Sequence, residues 1–151
     1  MGQWLAFTNQ KLYQCRLLAE QASVAEPAEL AQALEDAALY QLWMAYRSYL
    51  NELGEMVSLS MRADSLAHLM QEVRLVTGEM KELAQLEADG FSWLGQFLAA
   101  VEHLGWPGPV ARPADHNLIA VANQPASAGM AIWYRELDRL IDRQRDNRQE
   151  S

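Results

Sequence analysis

Residues 39–57 read LYQLWMAYRSYLNELGEMV, and this stretch decides the fold class. Leu39, Leu42, Tyr46, Tyr49, Leu53 and Met56 recur at steps of three and four. That spacing lines up side chains on one face of an α-helix. Trp43, Leu50 and Val57 form a second row, seven apart, beside the first. A half-buried strand would alternate with a period of two, and this stretch does not. The combined stripe is too wide for a two-stranded seam and fits a helix packed on two or more neighbours. Gly54 predicts the end of this helix or a weak point in it, because glycine costs about 1 kcal/mol relative to alanine in a helix interior.

Outward from this helix, proline sets the limits. After Pro27 there is no proline until Pro107, and Pro107, Pro109, Pro113 and Pro125 then follow closely. Helix interiors exclude proline, so residues 28–104 are expected to be helical almost throughout, with one long irregular segment over 105–126. A first helix is predicted from Gln3 to Ala25, with Leu5, Thr8, Leu12, Cys15, Ala19 and Ala22 on one face. Pro27 opens the second helix in its first turn, where a missing N–H costs nothing. A short link near 54–58 leads to a third run, Leu66, Leu69, Val73, Val76, Met80 and Leu83. Thr77-Gly78 interrupts it and predicts a kink or two shorter helices. Asp89-Gly90 is a stop. Ser92 caps a helix running to Leu104, with Leu94, Phe97, Leu98 and Val101 inward. Leu118 to Ala122 is apolar and is either an extended segment or one helical turn. The last helix covers Ser127 to Arg148, with Met130, Trp133, Tyr134, Leu137, Leu140 and Ile141 as its core face. Opposite charges three apart, Arg135 with Asp138 and Arg139 with Asp142, line its other face. The pattern predicts an all-α fold: a single domain over 1–151, an antiparallel helical bundle of four to five main helices with a proline-rich loop before the last.

Composition excludes several function classes. The 151 residues are 50% hydrophobic, enough for a core without disulfides or metal. Twelve basic residues against 20 acidic ones give a net charge of −8. That balance argues against nucleic acid, whose binding needs cations to displace phosphate counterions. It argues equally against anionic membranes. Cys15 is the single cysteine, which suits a reducing cytoplasm. The opening residues show no signal-peptide pattern, and no apolar run is long enough to span a bilayer. A cytoplasmic protein with no membrane or nucleic-acid partner is expected.

Several segments together resemble a known family. They are Asn9-Gln10-Lys11-Leu12-Tyr13, Tyr40 to Tyr46, Leu50-Asn51-Glu52-Leu53, Leu83, Leu86-Glu87, Trp93-Leu94, Trp133, Leu137 and Leu140-Ile141-Asp142-Arg143-Gln144. The chain is similar, over residues 8–146, to a family of small all-helical bacterial proteins classed as a domain of unknown function. The resemblance implies a helical fold and no catalytic residue.

The candidate binding residues are Tyr40, Trp43, Tyr46, Arg47, Tyr49 and Trp106. The aromatic row on the second helix reads either as core, with its hydroxyls at the rim, or as a pocket or partner groove with Arg47 as polar anchor. Trp106, in Gly105-Trp106-Pro107, either plugs the end of the bundle or anchors an interface. Cys15 lies on the apolar stripe and reads as core. A di-metal bundle needs Glu-x-x-His on two helices, and none of His68, His103 or His116 completes that motif. Glu52-x-x-Glu55 and Glu79-x-x-Glu82 read as solvated faces. Arg62 and His68, six apart on one predicted helix, match a spacing seen in helical ribonucleases, one that arises readily by chance. Asp115-His116 adjoins an acid and a histidine without a nucleophile or phosphate cradle nearby. No cofactor motif is present. Arg143, Arg145 and Arg148 concentrate positive charge at the last helix's end, where an anion would be expected to meet the protein. The sequence favours a non-enzymatic protein–protein interaction module that self-associates. The alternatives are a bundle binding a small molecule or anion on the Tyr40–Tyr49 face, and an enzyme using His68 or His116.

Overall fold

The computed structural model describes residues 2–107 and 126–150, and among these there are helices and no strand. The helices are α1 (Gln3–Val24), α2 (Ala28–Met56), α3 (Leu66–Glu72), α4 (Gly78–Ala88), α5 (Trp93–Glu102) and α6 (Ala126–Glu150). The apolar segment 118–122, Asp115, His116 and most of the proline cluster lie outside the described residues.

The predicted faces are largely the buried ones, although Leu5 and Met56 at their ends are exposed. α1 buries Thr8, Leu12, Cys15 and Ala22. Pro27 stands at the N-cap of α2, one residue before the predicted position, and its carbonyl accepts from the N–H groups of Leu30 and Ala31. α2 then runs back along α1. Its Ser48 hydroxyl lies 2.7 Å from that of Thr8, and both reach the carbonyl of Trp4. Two hydroxyls that satisfy each other and a backbone acceptor can be buried without a desolvation penalty. Around this pair the core collects Leu42 and Leu50 of α2, Met80 and Leu83 of α4, Leu94 and Phe97 of α5, and Leu137 and Ile141 of α6. Phe97 packs edge-on to Tyr46 at 6.4 Å and lies 6.1 Å from Trp133, so one ring joins α2, α5 and α6.

The break at Thr77-Gly78 yields two short helices, α3 and α4, with the Thr77 side chain accepting from the Met80 N–H. Ser92 caps α5 by accepting from the Gly95 N–H at 2.9 Å. The stretch after α2 corrects the expectation of near-continuous helix. Residues 57–65 form a longer non-helical link than the short one predicted. Gly54 stays inside α2, buried in its last turn. A β-carbon there would sit 3.0 Å from the side chains of both Leu59 and Leu69. The glycine therefore lets the link and α3 cross close over α2. Its carbonyl accepts from Val57 and Leu59 as the helix ends. Asn51 ties the link down: its side chain donates to Ala63 O at 2.9 Å and accepts from Ala63 N at 2.8 Å.

Candidate functional site

The aromatic row of α2 divides in two. Tyr46 and Tyr49 face the core. The Tyr46 hydroxyl donates to the Glu87 carboxylate. Burial pushes that phenol well above its usual value of 10.0, and the Glu87 charge pushes it further. The Tyr49 hydroxyl donates to Gln144 Oε1 and accepts from Arg148 at 3.0 Å. Its pKa is pushed up to about 12, burial outweighing the arginine. Tyr40 is exposed and Trp43 half-buried at the edge of the core, with ring centroids 6.1 Å apart. The Arg47 guanidinium lies 4.4 Å from the Trp43 ring centroid. Tyr40, Trp43 and Arg47 thus form a ladder along one outer face. Trp106 is 74% exposed beyond the end of α5 and makes no ring contact with the ladder among the described residues.

Beside Arg47 opens a groove of about 310 Å³ between α1, α2 and the link, lined by Trp4, Phe7, Met44, Arg47, Asn51 and Arg62 among others. Arg62 enters it from the 57–65 link. Arg62 and His68 therefore do not share a helix, which removes the ribonuclease-like spacing. His68 accepts at Nδ1 from the Asp64 N–H and so serves the start of α3. His103 is exposed at the end of α5. No cluster of three metal-type side chains occurs among the described residues.

The terminal arginines have a different role from the anion-meeting one expected. Arg145 holds Glu52 through two hydrogen bonds, at 2.8 and 3.1 Å, and reaches Asn9 at 2.9 Å. Arg143 pairs with Glu82 at 2.7 Å. Gln144, fully buried between them, donates to Glu82 at 2.8 Å. The Arg143 hydrogen bond holds the Glu82 carboxyl below its usual 4.5. These residues join α1, α2, α4 and α6. Sequence reading missed the network. Its one signal was Gln144, a polar residue continuing the core row Leu137, Ile141 at helical spacing.

Cys15 is buried against Met130, with 3.8 Å between the sulfurs. Burial raises its thiol to about 12. Since the thiolate is the nucleophile, native protein at pH 8 is expected to react with a thiol reagent such as DTNB only as fast as it unfolds. Full reaction within seconds, without denaturant, would contradict the packing.

α1 carries one further surface. Tyr13, Leu17 and Val24, spaced four and seven, are 52%, 41% and 76% exposed. They lie on the face opposite Thr8, Cys15 and Ala22, so α1 is apolar on both sides. Arg16 and Glu20 pair beside Leu17 at 3.8 Å.

Residues 1–151 match the model of a family of unknown function (DUF6586). The chain belongs to this family. The expected membership in a family of unknown function is thereby established, and the match extends it from residues 8–146 to the whole chain. Neither a curated protein nor a solved structure matches. Family membership brings no activity to this DUF6586 chain, so its function has to be argued from its own surfaces. Among the described residues no helix is long and apolar enough to cross a membrane.

Proposed function

We propose that this chain is a non-enzymatic interaction module: one cytoplasmic domain, an antiparallel bundle with a proline-rich segment before its last helix, which self-associates through the outer face of α1. The observation that carries the reading is the second apolar stripe, Tyr13, Leu17 and Val24, on a helix whose first stripe is already buried. Scattered exposed hydrophobics need no explanation, but a row along one helix face marks a contact surface. The charges beside the row favour a second copy of this chain as the occupant. A copy of α1 crossing antiparallel near Leu17 and Leu18 brings Arg16 opposite Glu20 of the other copy, twice by symmetry. The same register carries Tyr13 toward Val24 of the other copy. One helix pair buries less than the roughly 1,600 Å² of a standard interface, so the association is weak and depends on concentration.

Light scattering on a sizing column tests this. The mass is expected to rise from 17.0 kDa toward twice that value as concentration increases. Leu17→Glu should hold it at the monomer value with unchanged helix content. Val24→Glu, at the most exposed position of the row, should act in the same direction. A mass that never leaves the monomer value, or a dimer indifferent to both variants, overturns the reading.

A further inference from the structure

Independently of the α1 face, we infer that the groove beside Arg47 is a binding site for a small aromatic carboxylate. The first observation is charge. The protein is acidic, net −8, yet this groove is lined by two arginines and by no aspartate or glutamate. Elsewhere three arginines are matched by carboxylates: Arg16 pairs with Glu20, Arg143 with Glu82, and Arg145 with Glu52. Neither Arg47 nor Arg62 pairs with a carboxylate among the described residues.

The second observation is orientation. The Arg47 guanidinium stacks on Trp43 at 4.4 Å, and Trp43 is backed by Tyr40. The ring covers one side of the cation, and the Arg47 guanidinium makes no hydrogen bond among the described residues, so its N–H groups are open to the two oxygens of a carboxylate. Arg62 adds a second charge from the link, across the groove.

The third observation is the wall. Trp4 and Phe7 pack edge to face at 6.4 Å, and Phe7 is 38% exposed. Met44 adds a soft, adaptable surface. Apart from Gln3 at the rim, the other polar side chains here are already engaged. Ser48 is bonded to Thr8 and Trp4, and Asn51 donates to Arg47 O and Ala63 O. Recognition therefore rests mainly on two cations and flat apolar rings, with the Gln3 amide as a further polar group. A volume of about 310 Å³ is at the small end of ligand pockets, which selects a ligand of one or two rings over a nucleotide.

The test is titration with indole-3-carboxylate, followed by amide and indole N–H shifts in NMR, against indole-3-carboxamide and inorganic phosphate. The carboxylate is expected to saturate, with shifts centred on Trp4, Phe7, Arg47 and Arg62. The carboxamide, lacking the charge, and phosphate, lacking the rings, should each bind at least tenfold more weakly. Arg47→Gln should weaken the carboxylate at least tenfold. Arg62→Gln, on an exposed link residue, should weaken it severalfold without touching the core. Absence of saturation, equal binding of carboxamide or phosphate, shifts centred elsewhere, or indifference to both substitutions would each overturn the assignment.

Discussion

Arg145→Leu is expected to destabilise the fold by about 3–5 kcal/mol, because it strands Glu52 as a buried charge without a partner. Glu52 is 6% exposed and the Arg145 side chain 15%. Both guanidinium bonds to Glu52, and the third to Asn9, are lost together. A cleft of about 330 Å³ opens beside the pair, lined also by Leu5 and Glu55. Water entering there can solvate the abandoned carboxylate, which moves the expectation toward the lower end of the range. The neighbouring pair supplies the control. Arg143 and Glu82 meet at a similarly short distance but are 52% and 36% exposed, and exposed pairs contribute roughly 0–1 kcal/mol. Arg143→Ala should therefore cost far less than Arg145→Leu, although both break an ion pair of α6. Replacing both members, Glu52→Leu with Arg145→Leu, removes the buried charge altogether and should recover most of the loss. Urea denaturation measures all three. At about 2–4 °C per kcal/mol for a chain of this size, thermal melting should separate the two single variants clearly. Equal losses in both would show that burial does not govern these pairs.

The contrast between those pairs marks where sequence reading ends. Periodicity placed α1, α2 and α6 because each buries a stripe at helical spacing, and a stripe is a local property. It could not divide the row Tyr40, Trp43, Tyr46 and Tyr49. A stripe this wide covers most of the helix surface, and which part faces inward depends on α4, α5 and α6. Tyr46 is inward because Phe97 and Glu87 meet it. Tyr40 is exposed and Trp43 sits half-buried at the edge of the core, where its ring lies under Arg47. Arg47 stood out in sequence as a charge within an apolar run, and that anomaly located the groove. Its companion Arg62 was read onto the wrong element. No proline or glycine stops the chain between Val57 and Ser65, so the helix seemed to resume early. It stops through packing and side-chain bonding that helical periodicity does not encode: Leu59 lying over Gly54, and Ala63 bonded to Asn51. The terminal arginines were misjudged for the same reason. Their spacing suggested a basic end, but their partners lie 61 and 93 residues away.

Asn51→Leu is accordingly expected to be a severe substitution, although it adds an apolar side chain to an apolar surrounding. The Asn51 amide closes a two-way bond with the backbone of Ala63, and both residues are buried, at 4% and 0% exposure. Its second amide hydrogen returns to the carbonyl of Arg47. Leucine offers none of these bonds, so the Ala63 N–H and C=O are left buried and unpaired. Each such group costs about 1–3 kcal/mol, which sets the expected loss for the two at about 2–6 kcal/mol. A cap removed from the same region gives the scale: Ser65→Ala, which deprives the His68 N–H of its acceptor, should cost about 1 kcal/mol. Leucine is also the wrong shape for a site built around a planar amide, so relaxation of the link away from α2 is the expected response. Arg62 lies on that link and is a trypsin site. Cleavage after Arg62 should accelerate in Asn51→Leu well beyond its rate in Ser65→Ala. The same relaxation withdraws the second arginine from the groove. Binding of indole-3-carboxylate should then weaken to about the level of Arg62→Gln, even though Asn51 has no free donor to offer the ligand. Tight binding retained alongside rapid cleavage at Arg62 would show that the link does not position that charge.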